Sequence, residues 1–131
     1  MKTTTTWKKK HEFESKLEDN LIHLDGNIEN GFGPKALMLS ALAACSGIDV
    51  VDILEKMRVA FSDFKIDVEA DQTQDHPRVF SSVHILYEIR SLPENLEKIR
   101  KAIDLSLDKY CGVAAMLKKN SPITYELHVR E

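Results

Sequence analysis

Two cysteines carry most of the reactive chemistry open to this chain. Cys45 lies inside a long apolar run that extends from Pro34 through Leu39, Ala44 and Ile48 to Val51. Cys111 follows Lys109-Tyr110 and precedes Gly112-Val113-Ala114-Ala115-Met116-Leu117, a short apolar stretch suited to a helix. Two thiols far apart in sequence, each on or at the start of a helix, suit a redox pair: one sulfur is oxidised and the other closes a disulfide onto it. A plainer reading stays open at each position. Free cysteine is among the most buried residue types, and in mid-helix Cys45 gains little from the helix dipole. It needs a neighbouring cation or hydrogen bond to ionise. Cys111, ahead of a helix starting at Gly112, would meet unpaired N–H groups that lower a thiol pKa; the alternative is an inert cap.

Other chemistries fit the residues less well. A zinc site needs three or four convergent ligands, usually with a short Cys-x-x-Cys or His-x-His spacing. His11, His23, His76, His84 and His128 are scattered, so neither a metal nor another cofactor is expected. Gly31-Phe32-Gly33-Pro34 precedes a helix, where a glycine-rich turn could bind an anion. Pro34 removes one N–H donor, which weakens a phosphate reading. Asp49 lies four residues after Cys45, on the same helical face. It could hold a basic group beside the thiol or raise the thiol pKa by repulsion.

The elements that must position these residues follow from periodicity. Thr3 to Thr6 and Trp7 to Leu17 read as strand, and Leu21 to Gly26 as a strand closed by an Asp-Gly turn. Pro34 opens a helix that runs to about Met57. Its first three turns are apolar on nearly every face, the pattern of a helix buried all round. Ala41, Ala43, Ala44 and Gly47 would let another helix approach closely. The alternations Phe64-Ile66-Val68 and Val83-Ile85-Tyr87-Ile89 predict a hairpin. Ser91-Leu92-Pro93-Glu94 resembles a capping box for a helix striped by Leu96, Ile99, Ile103 and Leu107. A short helix from Cys111 to Lys119 and a strand from Ile123 to Val129 close the chain. This order predicts an α+β fold with mainly antiparallel sheet.

Composition sets the outer limits. The 131 residues predict a single domain, 1–131, large enough to bury a core without a disulfide. A net charge of −3 gives no reason to expect nucleic acid or an anionic membrane as partner. Lys8-Lys9-Lys10 reads as a solvated strand edge. No apolar segment follows the N-terminal lysines as in a signal peptide, and the Ala36–Ile48 run is too short to span a bilayer. The expected location is cytoplasmic, where a disulfide is usually catalytic or sensory.

The segment from Gly33 to Leu54, centred on Ala43-Ala44-Cys45-Ser46-Gly47, resembles the first signature of the OsmC/Ohr family, the osmotically inducible protein C and organic hydroperoxide resistance proteins. Tyr110-Cys111-Gly112-Val113-Ala114-Ala115-Met116-Leu117 is similar to its second. The order of elements agrees along nearly the whole chain. The resemblance implies sheets wrapped around a long buried central helix in an intertwined homodimer. It implies that Cys45 attacks an organic hydroperoxide and Cys111 resolves the resulting sulfenic acid to a disulfide, which a lipoyl-type dithiol reduces. The peroxidase branches carry an arginine in the N-terminal strand region and a glutamate just after the helix-opening proline. Residues 1–57 here contain no arginine, and Pro34-Lys35-Ala36 lacks the carboxylate. The resemblance is therefore to a divergent branch. Lys35 and Asp49 are its candidates for supporting the thiolate, and Arg58, Arg78 and Arg90 for supplying a missing charge. Two other functions stay open: a dimer that binds an apolar small molecule between its helices, and a redox sensor with little peroxidase activity.

Overall fold

The computed structural model describes residues 1–131. They pack as two compact units, Met1–Met38 and Leu39–Glu131.

The smaller unit is an antiparallel meander of β1 (Thr4–Lys9), β2 (Glu12–Leu17) and β3 (Asn20–Asp25). Trp7 pairs with Phe13 and Phe13 with Leu24. The stretch read as one strand from Trp7 to Leu17 is thus two, joined by a tight turn in which Lys10 takes a positive φ of 48°. No glycine or proline marks that turn, so the sequence hid it. After β3 the chain folds back around one carboxylate. Asp25 is buried and accepts the backbone N–H groups of Asn27 (2.8 Å), Glu29 (3.2 Å) and Asn30 (3.0 Å). These donors, Asn27 first, hold its pKa below the usual carboxylate value. Gly31 is needed next: a Cβ there would lie 2.6 Å from the His23 carbonyl oxygen.

Helix α1 (Pro34–Lys56) starts in the smaller unit and continues into the larger one. The larger unit has one sheet of order β4 (Ser62–Gln72), β5 (Phe80–Arg90), β6 (Ile123–Arg130). The β4–β5 hairpin is antiparallel, with Ile66 opposite Tyr87 and Val68 opposite Ile85. The β5–β6 pair is parallel, an exception within the mainly antiparallel architecture. A parallel neighbour requires a long crossover. Here it comprises a 3₁₀ turn (Pro93–Asn95), α2 (Leu96–Leu105), a π turn (Ser106–Tyr110) and α3 (Gly112–Lys118).

The core lies against one face of this sheet. Val83, Ile85, Tyr87 and Ile89 of β5 are essentially fully buried, as are Leu42, Val50 and Leu54 of α1 and Ile99, Ala102 and Ile103 of α2. The opposite face is polar: Lys65 pairs with Asp67 and Glu88 at 3.3 and 3.6 Å. Such alternation is what a sheet covered on one side demands.

Three details depart from the sequence reading. The segment Ser91 to Glu94 forms no capping box. Ser91 donates to the Ala60 carbonyl instead (2.7 Å), and α2 has no side-chain cap. Gly47 admits a strand, not a helix: a Cβ there would stand 3.0 Å from Ile66 Cδ1. Finally, α1 is not buried on every side. Leu42, Ser46, Gly47, Val50 and Leu54 face the core, while Met38, Ala41, Ala44 and Ile48 face out. By length and composition its 23 residues could cross a membrane, more than the Ala36–Ile48 run alone indicates. Its core-facing stripe and its Asp49 and Asp52 match the core helix of a globular unit.

Candidate thiol site

Both cysteines belong to the larger unit, and both are free. Cys45 sits in mid-α1, half-buried, one residue before the core-facing Ser46. Cys111 is 3% exposed and forms the N-cap of α3, where its sulfur accepts the Ala114 N–H at 3.3 Å. The helix does begin at Gly112, as the sequence predicts. Its effect on ionisation is nevertheless outweighed. Burial pushes the Cys111 thiol up to about 11; the Ala114 N–H opposes this, and the nearby Cys45 thiol adds to it. The fold therefore brings the two thiols close enough to perturb one another, and it keeps Cys111 protonated at neutral pH.

Around the pair runs a buried polar network that no motif announced. The Ser46 and Tyr87 hydroxyls are 2.6 Å apart. Ser106 Oγ lies 2.9 Å from Ser46 Oγ and 3.0 Å from Asp49 Oδ2, with its proton as donor. Ser46, Ser106 and Tyr87 are fully buried. Burial raises the Tyr87 pKa to about 12, against the favourable Ser46 contact, so the phenol stays neutral. Tyr87 is held in place by stacking on Phe64 and by an edge contact with Tyr125, at centroid separations of 6.4 and 5.8 Å. The sequence did carry a faint signal. Ser46 falls between Leu42 and Val50 at i+4 spacing, Ser106 continues the Ile99–Ile103 stripe, and Tyr87 occupies an inward slot of β5. Each is a polar group written into a core position.

Beside the network opens a cleft of about 440 Å³ lined by Asp49, Asp52, Ile53, Lys56, Met57, Leu105 and Tyr110. Asp49 is thus engaged by Ser106 on one side and borders the cleft on the other. Lys35 is exposed in the first turn of α1 and belongs to the smaller unit. Of the three arginines considered as charge donors, Arg90 pairs with Asp63 at 3.3 Å, and Arg58 follows α1 at a positive φ of 57°. The residues around the thiols provide hydroxyls, a carboxylate and apolar walls. No three His, Cys, Asp or Glu side chains converge as a metal site requires.

The family profile described as OsmC-like protein matches residues 25–126. The protein YhfA of Escherichia coli K12 is 33% identical over 109 residues, covering 82% of this chain and 81% of YhfA. An OsmC-like protein from Mycoplasma pneumoniae superposes with a TM-score of 0.88 at 19% identity, over 99% of this chain and 96% of that one. The organic hydroperoxide resistance protein OhrB of Bacillus subtilis does so with a TM-score of 0.67 at 15% identity, over 96% of each chain. At these identities the two structures speak to the fold alone.

Proposed function

Because this chain belongs to the OsmC-like protein family, we propose that it reduces organic hydroperoxides through a Cys45–Cys111 thiol cycle. Family membership supports a redox or peroxide-related role. The observation that carries the finer reading is the asymmetry of the neighbouring thiols, one half-exposed and one buried and protonated.

In this cycle the Cys45 thiolate attacks the terminal oxygen of R–OOH. The O–O bond breaks, the alkoxide takes a proton to leave as R–OH, and Cys45 becomes a sulfenic acid. Cys111 then attacks that sulfur. The S–O bond breaks, the hydroxyl leaves with the Cys111 proton as water, and a disulfide forms. A dithiol of lipoyl type restores both thiols and is itself oxidised to a disulfide. At pH 7 a thiol with a pKa of about 11 is thiolate in roughly one molecule in ten thousand. Cys111 therefore does not compete for peroxide and waits for the sulfenic acid. The nearby cleft is mixed in character: Ile53, Met57 and Leu105 offer an apolar wall for an alkyl group, beside the charged Asp49, Asp52 and Lys56.

The assembly in this reading is a homodimer. The outward stripe of α1, with Met38 46% and Ile48 63% exposed, is apolar surface that a second copy would cover. The same stripe favours a second function, the binding of an apolar small molecule between paired helices. The absence of arginine before Arg58 points the same way, since no guanidinium from residues 1–57 polarises a peroxide.

Free-thiol titration separates the two. Reduced protein is treated with one equivalent of cumene hydroperoxide, with Cys45→Ser and Cys111→Ser alongside. Loss of both thiols within seconds in the wild type, abolished by Cys45→Ser, is the expected result. Thiols that survive the treatment would leave the binding function in its place. Light scattering of the purified chain reports the oligomeric state directly.

A further inference from the structure

Ser106 occupies a position that the thiol cycle does not explain. It is the first residue of the π turn, and its carbonyl accepts the Cys111 N–H at 2.7 Å, five residues on. Its hydroxyl reaches across to α1, to Ser46 Oγ at 2.9 Å and Asp49 Oδ2 at 3.0 Å. Ser46 is the residue after Cys45. One peptide bond (Cys45–Ser46) and two hydrogen bonds thus join the thiol-bearing residues, and Ser106 makes both hydrogen bonds.

A π turn is a rare one-residue insertion that often sits at a functional site. This one is anchored on two sides. Ser106 ties its start to α1, while the Lys118 ammonium binds the Leu107 carbonyl and lies 3.5 Å from Asp108. Ser106 is fully buried, so water does not substitute for its partners. Its single hydroxyl proton is shared between a hydroxyl and a carboxylate, and the carboxylate is the stronger acceptor. Removing the hydroxyl would leave α1 and the π turn in contact but without a fixed register.

We infer that Ser106, held by Asp49, is a positioning residue that sets the spacing between Cys45 and Cys111. The inference rests on the proposed pairing of these thiols, but not on peroxide as the oxidant. Its consequence is a high effective concentration of one thiol at the other, which governs how readily the disulfide closes.

The test compares wild type, Ser106→Ala, Asp49→Ala and Asp49→Asn in two assays. In the first, the reduced protein is equilibrated with glutathione: protein dithiol plus glutathione disulfide gives protein disulfide plus two glutathione thiols. In the second, cumene hydroperoxide oxidises Cys45, and the decay of its sulfenic acid to disulfide is followed by dimedone trapping. Ser106→Ala is expected to lower the glutathione equilibrium constant and the closure rate about tenfold each, with Cys45 oxidation changed less than about twofold. Asp49→Ala, at a half-exposed helix position that tolerates alanine, is expected to shift both values in the same direction by about threefold. Asp49→Asn keeps an oxygen acceptor for Ser106 and is expected to restore them. A merely structural Ser106 would lower Tm while leaving both redox readouts unmoved, and that result overturns the inference. A wild type that forms the disulfide with glutathione but ignores cumene hydroperoxide would sink the peroxidase reading and leave the role of Ser106 standing. A wild type that forms no disulfide in either assay would overturn both.

Discussion

The surroundings of Cys45 and those of Cys111 solve opposite problems. Cys45 lies in mid-helix, half-exposed, away from the helix ends and their dipole. Cys111 sits at a helix N-cap and accepts an N–H, yet it is buried so deeply that its thiol is harder to ionise than a free cysteine. The contrast teaches that a helix N-terminus does not by itself make a reactive thiolate. Desolvation and a neighbouring thiol can outweigh one N–H donor. In a division of labour between two sulfurs this is useful. In the proposed thiol cycle the accessible sulfur would meet substrate, and the buried one would act only when an electrophilic sulfur appears beside it.

Exchanging the roles would break that contrast, and the largest effect is expected there. Cys45→Ser should reduce hydroperoxide consumption by at least about a hundredfold, measured by a peroxide assay with a dithiol reductant. An active Cys45→Ser protein would mean that the buried sulfur is the attacking one. Next in size is Cys111→Ser. Cys45 should still react once at its normal rate, but its sulfenic acid should persist and advance to sulfinic acid under excess peroxide. Mass spectrometry reads this as a gain of two oxygens, and steady-state turnover should fall by about tenfold or more.

The pH dependence sharpens the comparison further. The Cys111 pKa is raised to about 11, so its thiolate fraction climbs throughout the range below that value. Disulfide closure after Cys45 oxidation should accelerate about tenfold per pH unit between roughly pH 7 and 10. Stopped-flow at several pH values checks this, and a flat profile would mean that thiolate formation at Cys111 does not limit closure. The smallest effect is expected from Tyr87→Phe. It removes one hydroxyl partner of Ser46 and leaves Ser106 as the other, so chemical denaturation should register a loss of about 1 kcal/mol with both redox steps little changed.

Much of the fold was legible because periodicity speaks for buried faces. The alternation through Val83, Ile85, Tyr87 and Ile89, the Pro34 start of α1 and the helix after Cys111 all appear where the pattern puts them. What escaped was decided elsewhere. The Lys10 turn has no turn residues, so a hairpin looked like one strand. The parallel β5–β6 pair depends on where the crossover lands, which no local pattern encodes. Apolarity on all sides of α1 marks surface that something must cover, but a single chain need not be what covers it. At the site, the thiols were visible as residue types, whereas Ser46, Tyr87 and Ser106 become a network only when three elements meet. The reading of Asp49 as a partner for a basic group or for the thiol missed its neighbour Ser106, fifty-seven residues away.

The parallel crossover also dictates when the thiol pair comes into being. Cys111 and its π turn lie in the connection between β5 and β6, and β6 is the last strand of the chain. Long-range parallel pairing forms slowly, because loop closure must precede the contacts that reward it. During synthesis Cys45 emerges well before Cys111, and Cys111 is held beside it only once β6 has docked against β5. Through that interval Cys45 has no thiol fixed beside it and is open to whatever small thiol or oxidant it meets. Proximity of the two thiols is thus a property of the assembled β4–β5–β6 sheet, acquired only after Cys45 is already in place on α1.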